Sequence, residues 1–234
     1  MREIVFDTET TGLDWRDERI IELGGVELVN RFPTGRTFHR YLNPQGRGID
    51  PEAQAVHGIT AADLVDKPTF ADIADEFLEF IDGASLVAHN SGFDMAFVNA
   101  ELGRLGQTGI DPGRVVDTLA LARRRHPMGP NSLDALCRRY GIDNSHRTKH
   151  GALLDSELLA EVYLELIGGK QGALGLEIVQ EPRPGSQEQI IFAVAIGARP
   201  RPLAPRISEI ELAAHAAMVA ELGETAIWRR LTAN

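Results

Sequence analysis

The chain has a single cysteine, Cys137, among 234 residues. That excludes an intramolecular disulfide and fits a reducing compartment. Cys137 falls among Leu133, Leu136 and Tyr140 at helical spacing, the setting of a buried core thiol and not of a nucleophile. No run of about 18 apolar residues is present and the amino terminus is not basic-then-apolar, so neither a membrane span nor a secretory leader is expected. The protein should be soluble and cytoplasmic, with no membrane partner. Basic charge is also scarce. Lys and Arg number 24 against 34 Asp and Glu, for a formal net charge of −10. Counterion release by basic residues supplies most non-specific affinity for duplex nucleic acid, so this chain should not clamp long DNA by itself. Its 43% apolar content is enough for one substantial core, and the pattern beyond about residue 168 suggests an appendage to it.

Acids are what the chain does have. In the run Ile4-Val5-Phe6-Asp7-Thr8-Glu9-Thr10-Thr11-Gly12 an apolar strand carries Asp7 and Glu9 at i and i+2, the spacing that puts two side chains on one face. Two unit charges about 4 Å apart repel by roughly 4 kcal/mol at an effective dielectric of about 20, a cost that an oxygen-ligated divalent cation removes. The pair reads as half a metal site, and by itself equally as a solvated strand end. Asp94 follows His89-Asn90-Ser91-Gly92-Phe93 after the apolar run Ser85-Leu86-Val87-Ala88, a strand running into a helix. Asp155 lies in His150-Gly151-Ala152-Leu153-Leu154-Asp155, at the start of a helical pattern reaching Leu166. Strand ends and helix starts can converge on one cleft in an α/β fold, and four carboxylates there suit two divalent cations, Mg²⁺ or Mn²⁺.

His150 precedes Asp155 by five residues, which on a regular helix would set the side chains about 140° apart. His150 is therefore expected on the preceding polar loop, Asp143 to Lys149, with Gly151 loosening the junction. There it could turn toward an attacking water, and a near-neutral pKa suits a general base; an exposed loop imidazole is the plainer alternative. Basic residues gather nearby at Arg123, Arg124, Arg125, Arg138, Arg139, Arg147 and Lys149. They could steer a strand end inward, and ordinary solvated helix faces explain them equally well.

Periodicity predicts strands over Arg2–Phe6, Ile20–Val29 and Thr37–Leu42, with Gly35 near the second turn, an antiparallel opening. Helical patterns cover Phe70–Ile81, Met95–Leu105, Thr118–Arg125, Leu133–Tyr140 and Leu153–Leu166, with strands near Leu86–Ala88 and Arg114–Val116 between them. Thr60 with Asp63 has the form of a capping box, and Ser132 is a second helix start. The order gives an α/β or α+β sheet flanked by helices.

Five blocks in order, Asp7 to Gly12, Asp50-Pro51-Glu52 through Val56-His57-Gly58-Ile59, His89-Asn90 through Phe93-Asp94, Asn131 to Cys137, and His150 to Asp155, carry a family resemblance. The sequence resembles the DEDD exonuclease superfamily, in the histidine-bearing subgroup and its proofreading branch. The resemblance implies a ribonuclease-H-like mixed sheet and hydrolysis of the terminal phosphodiester at a DNA 3′ end, releasing nucleoside monophosphates. It implies that Asp7, Glu9, Asp94 and Asp155 hold the two metal ions, with His150 as the base. Thr10, Glu52, His57 and Phe93 would join Asp7, Glu9 and Asp155 in holding the terminal nucleotide. The plainer alternatives are the first turn of a short helix after Pro51 for Glu52, a cap of that helix for His57, and the core for Phe93. Two other functions fit the residues less well: a 3′ exonuclease acting on RNA, and a structural polymerase subunit with little catalysis.

The division expected is an exonuclease domain over 1–170, a flexible linker over 171–206 and a helical segment over 207–234. Gly168-Gly169-Lys170-Gln171-Gly172 breaks the pattern, and proline-rich stretches near Pro182 and Pro202 resist regular structure. Within the linker, Gln187, Ile190 and Phe192 have the look of a sliding-clamp peptide. Ser208 with Glu211 forms a capping box ahead of an amphipathic pattern from Ile210 to Leu222. By resemblance this last segment, with Trp228, would dock on the polymerase subunit of a replicase.

Overall fold

The computed structural model describes residues 1–168 and 208–223. The chain divides into two compact units, Met1–Glu177 and Ile178–Asn234.

The first unit opens with an antiparallel meander, β1 (Arg2–Thr10), β2 (Ile20–Val29) and β3 (Phe32–Tyr41). Two short helices follow, α1 (Pro51–His57) and α2 (Ala61–Leu64), then α3 (Phe70–Ile81), β4 (Ser85–Ala88), α4 (Gly92–Arg104), β5 (Val115–Asp117), α5 (Thr118–Arg125), α6 (Leu133–Tyr140) and α7 (Ala152–Leu166). The sheet order is β3-β2-β1-β4-β5, with β4 parallel to β1 and β5 parallel to β4. This is the expected mixed α/β sheet flanked by helices. The predicted capping box at Thr60 and Asp63 forms, Ser132 accepts the Ala135 N–H, and Cys137 is fully buried.

The second turn differs from expectation. It is made by Asn30 (φ 52°) and Arg31 (φ 70°), so β3 begins at Phe32 and not at Thr37. A two-residue hairpin turn of this type I′ form needs positive φ at both central positions, which asparagine tolerates and arginine does not advertise. Gly35 (φ 82°) instead sits inside β3, where the pairing register slips between Val26 and Leu28.

The period-two alternation of β1 assigns its residues to two cores. Ile4 and Phe6 pack with Phe77, Phe80 and Phe97 from α3 and α4 on one face. Val5 packs with Val26, Val87, Leu159 and Tyr163 on the other, under α7. Each fully buried side chain of this size stabilises the fold by about 1.5–3 kcal/mol. The two layers hold β1 rigid on both sides up to the point where its acids begin.

Among the described residues of the second unit, α8 (Glu209–Glu221) begins at the predicted Ser208–Glu211 capping box and ends before Gly223 (φ 62°). The whole of the expected 171–206 linker, with Gln187, Ile190 and Phe192, lies outside the described residues, as does Trp228. No helix among the described residues is long and apolar enough to cross a membrane.

Candidate active site

A cleft of about 750 Å³ opens at the carboxyl end of β1 and takes its walls from α1, α4, α5, α6 and the loop before α7. Asp7, Glu9, Asp94, His150 and Asp155 all line it, as do Thr10, His57 and Phe93. Glu52 does not. It is exposed on the first turn of α1, where the Asp50 side chain caps the helix.

Four carboxylates reach this cleft from three directions. Asp7 and Glu9 are odd-numbered in β1 and share the face under α7, whose first turn carries Asp155. Asp94 comes from the first turn of α4, on the opposite face. Thr8, pointing that way, donates both its backbone N–H (3.1 Å) and its hydroxyl (2.8 Å) to Asp94 Oδ1. The strand end thus collects acids from both sides of the sheet.

α7 comes this close because of Gly24. It pairs with Asp7 in the β1–β2 register, and a Cβ there would stand 2.3 Å from the backbone of Ala152 and Leu153. The Ser156 hydroxyl, donating to the carbonyls of Gly24 (3.1 Å) and Ala152 (2.6 Å), fastens the contact. Beside Glu9 across the same hairpin lies Glu22, buried and bonded to His39 Nε2 at 2.7 Å.

Burial and mutual repulsion make Asp7, Glu9 and Asp94 hard to ionise. Desolvation is the largest cause for Glu9, pushed up to about 8, with Asp155 and Glu22 adding to it. Asp94 is pushed up to about 7 by desolvation, against which the Thr8 hydrogen bonds work. Desolvation, then Asp94 and Glu9, holds Asp7 well above the usual carboxylate range. Such a set is stable when cations replace the protons. Donor atoms of Glu9, His150 and Asp155 lie within 4.8 Å of one another, so these three can hold a metal ion.

His150 stands just ahead of the α7 N-cap Gly151, off the helix as its spacing from Asp155 requires. Its side chain is 46% exposed, and its Nδ1 lies 3.6 Å from Asp155 Oδ2. Desolvation, then the Arg147 charge, lowers its pKa, so the ring is neutral near pH 7. Arg147 is the residue that sequence reasoning placed among loosely steering cations. It is instead nearly buried, donating to Asp155 through Nε (2.5 Å) and Nη2 (2.7 Å) and to Asp134 through Nη1 (3.0 Å). Nη2 also meets His150 Nδ1 at 2.9 Å. A guanidinium only donates, so Nδ1 accepts and the ring proton sits on Nε2.

The remaining predicted positions are more ordinary. His57 closes α1 with Nδ1 accepting the Ile59 N–H at 3.0 Å, and its buried Nε2 has no hydrogen-bond partner among the described residues. The Thr10 hydroxyl donates to the Gly12 carbonyl, and Phe93 stacks at 4.9 Å on Phe97 while facing the cleft.

Known proteins place this constellation. The exonuclease family of the RNase T type matches residues 4–163. The chain belongs to this family. It is 46% identical over 239 residues to the DNA polymerase III epsilon subunit of Salmonella typhimurium and 45% to that of Escherichia coli, each alignment covering 97% of both chains. The Rickettsia conorii epsilon subunit is 51% identical over 177 residues, 74% of this chain and 76% of that one. Within the exonuclease family the chain is thus of the DEDD, epsilon type, a metal-dependent 3′–5′ DNA exonuclease. Among solved structures, exonuclease X in complex with 5′ overhanging duplex DNA superposes with a TM-score of 0.55 at 28% identity, covering 71% of this chain and 90% of that one. The nuclease domain of 3′hExo bound to rAMP shares the fold with a TM-score of 0.60 at 19% identity, over 71% and 91% of the two chains.

Reasoning from sequence missed Thr8, Gly24, Glu22, Asp134 and the true place of Arg147. Glu22 had a usable signal, a lone acid inside the apolar run Ile20-Ile21-Glu22-Leu23. Gly24 had none, because it acts on Ala152 and Leu153 across a packed interface, and Arg147 had none, because nothing in its polar loop says which acids it will meet.

Proposed function

We propose that this exonuclease proofreads for a replicative polymerase in the cytoplasm, removing the terminal nucleotide from a frayed DNA 3′ end. Asp7, Glu9, Asp94 and Asp155 are the ligands of two divalent ions, Mg²⁺ or Mn²⁺. Once bound, these ions supply water activation and charge stabilisation at the departing 3′ oxygen. The observation that carries this reading is the gathering of four carboxylates from both sheet faces around one open cleft, three of which, Asp7, Glu9 and Asp94, hold their protons above the usual carboxylate range. His150 takes the proton of the attacking water after its ring turns off Arg147, which frees Nδ1; its exposed place before Gly151 permits that turn. His57, Thr10 and Phe93 hold the terminal nucleoside at the α1 end, alongside Asp7, Glu9 and Asp155, and Glu52 reaches it from the exposed first turn of α1 outside the cleft lining. Mispaired ends are preferred because they unpair at lower cost and reach the cleft more often.

Residues 1–170 form the catalytic domain in this reading. The 171–206 linker offers Gln187, Ile190 and Phe192 to a sliding clamp, and 207–234 docks on the DNA polymerase III alpha subunit. The test is release of monophosphates, with Mg²⁺, from matched DNA and RNA strands, single-stranded or with a mispaired 3′ end, beside a His150→Ala control. Histidine-dependent release from DNA, faster at mispairs, supports proofreading. Preference for RNA, or no release from either strand, refutes it.

A further inference from the structure

The cleft must receive a polyanion, yet five carboxylates line it: Asp7, Glu9, Asp94, Asp134 and Asp155. Only two permanently charged cations share that lining, Arg147 and Arg123. All three nitrogens of the Arg147 guanidinium are engaged by Asp155, Asp134 and His150. Arg123 is different. It projects from α5 into the same cleft, it is exposed, and it has no hydrogen-bond or ion-pair partner among the described residues. Its neighbours in the sequence cluster are either spoken for or elsewhere. Arg125 is tied to the Glu165 and Leu166 carbonyls, Arg139 to Pro130 and Asn131, Lys149 to the Ala55 carbonyl, and Arg124 does not line the cleft. If two divalent ions and Arg147 offset the carboxylates, Arg123 is the positive charge left for substrate.

We propose that Arg123, which shares the cleft lining with Asn90 and Asn131, binds a phosphate of the DNA strand upstream of the scissile one. The inference rests on the exonuclease reading above, which seats the terminal nucleoside at the His57 end. From there the cleft runs across β4 to the α5 wall, and β5, which leads into α5, is two strands from β1, about 10 Å. That distance puts Arg123 beyond the scissile linkage and against the backbone of nucleotides still to be removed. A guanidinium suits the task because its planar fork matches phosphate oxygens and it carries its charge at every working pH. Asn90, held at φ 64° with its N–H on Asp117 Oδ1, presents a fixed polar edge on the same path. Burial first disfavours protonation of His89, and the nearby Arg123 charge adds a little to that, which places a second polar side chain on this wall.

The test compares Arg123→Ala with Arg124→Ala, which removes the same charge one residue outside the cleft. Binding of a fluorescein-labelled oligothymidylate is read by anisotropy with Ca²⁺ in place of Mg²⁺, over a range of salt. Arg123→Ala is expected to weaken binding about fivefold or more and to flatten the slope of log affinity against log salt by about 0.7, the value for one phosphate contact on a single strand. With Mg²⁺, KM for the oligomer should rise with kcat unchanged, while hydrolysis of a dinucleotide, whose one phosphate is the scissile one, keeps its wild-type KM. Equal effects of the two variants, an unchanged salt slope, or an equal loss on the dinucleotide would overturn the assignment. The anisotropy result decides the phosphate contact independently of turnover, whereas a wild-type protein that binds the oligomer and releases no monophosphate refutes the exonuclease reading.

Discussion

Replacing Gly24 by alanine tests how α7 is positioned. The added Cβ would stand 2.3 Å from Ala152 C and Leu153 N, whereas carbon contacts settle at about 3.5–4.0 Å. The shortfall is more than roughly 1 Å, and both obstructing atoms are backbone, so no side chain can rotate aside. The amino end of α7 must lift from β2. Overpacking of this kind costs about 1–3 kcal/mol, and in a unit of this size each kcal/mol lowers the melting temperature by roughly 2–4 °C. Asp155 lies in the helical turn that moves, one turn from the obstructed backbone. A misplacement of about 1 Å at a catalytic group costs on the order of 10²-fold in rate. Gly24→Ala should therefore melt lower and release monophosphates on the order of 10²-fold more slowly, with weaker Mn²⁺ binding by calorimetry. Gly48→Ala, where a Cβ meets nothing within 4 Å, should change none of these. A Gly24→Ala protein with wild-type melting and a rate within about twofold of wild type would refute the close-approach argument.

Three other outcomes follow from the site. Glu9 (about 8) and Asp94 (about 7) titrate above their unfolded-state values, so the metal-free fold holds more protons than the unfolded chain between about pH 4 and 8. The stability they contribute is full below that window and is lost as pH rises through 7 to 8; melting in EDTA should fall between pH 5 and 9, Mn²⁺ should flatten the fall, and an EDTA profile that rises would contradict it. Arg147→Ala strands the buried Asp155 carboxylate, a loss of about 3–5 kcal/mol for a broken buried pair, so metal-free melting should drop by roughly 6 °C or more and Mn²⁺ should restore more of it than in wild type. His150→Ala should lower kcat by about 10²–10⁴-fold while calorimetric Mn²⁺ affinity changes by only a few fold, because the carboxylates remain; a comparable loss of metal binding would make His150 a ligand first.

Much of this molecule is legible before folding is considered. The helices Phe70–Ile81, Thr118–Arg125 and Leu133–Tyr140 begin and end where their apolar spacing and caps predict, because those signals are local. Asp7 and Glu9 share a face by the geometry of any strand, and His150 had to leave the helix of Asp155 by the geometry of any helix. The Asn30–Arg31 turn was not legible, since an arginine at positive φ is imposed by the hairpin it closes. Nor could the sequence say that Asp94 arrives from the opposite face of the sheet and is delivered by Thr8, or that Gly24 admits α7 to the site. It could not show that Arg147 is occupied and that Arg123 has no partner among the described residues. Those facts depend on the parallel pairing of β1 with β4 and on α7 crossing β2 at a side-chain-free position, contacts between residues as far apart as Gly24 and Ala152. Local spacing chose the chemical groups; long-range packing, which no local signal encodes, decided which of them meet.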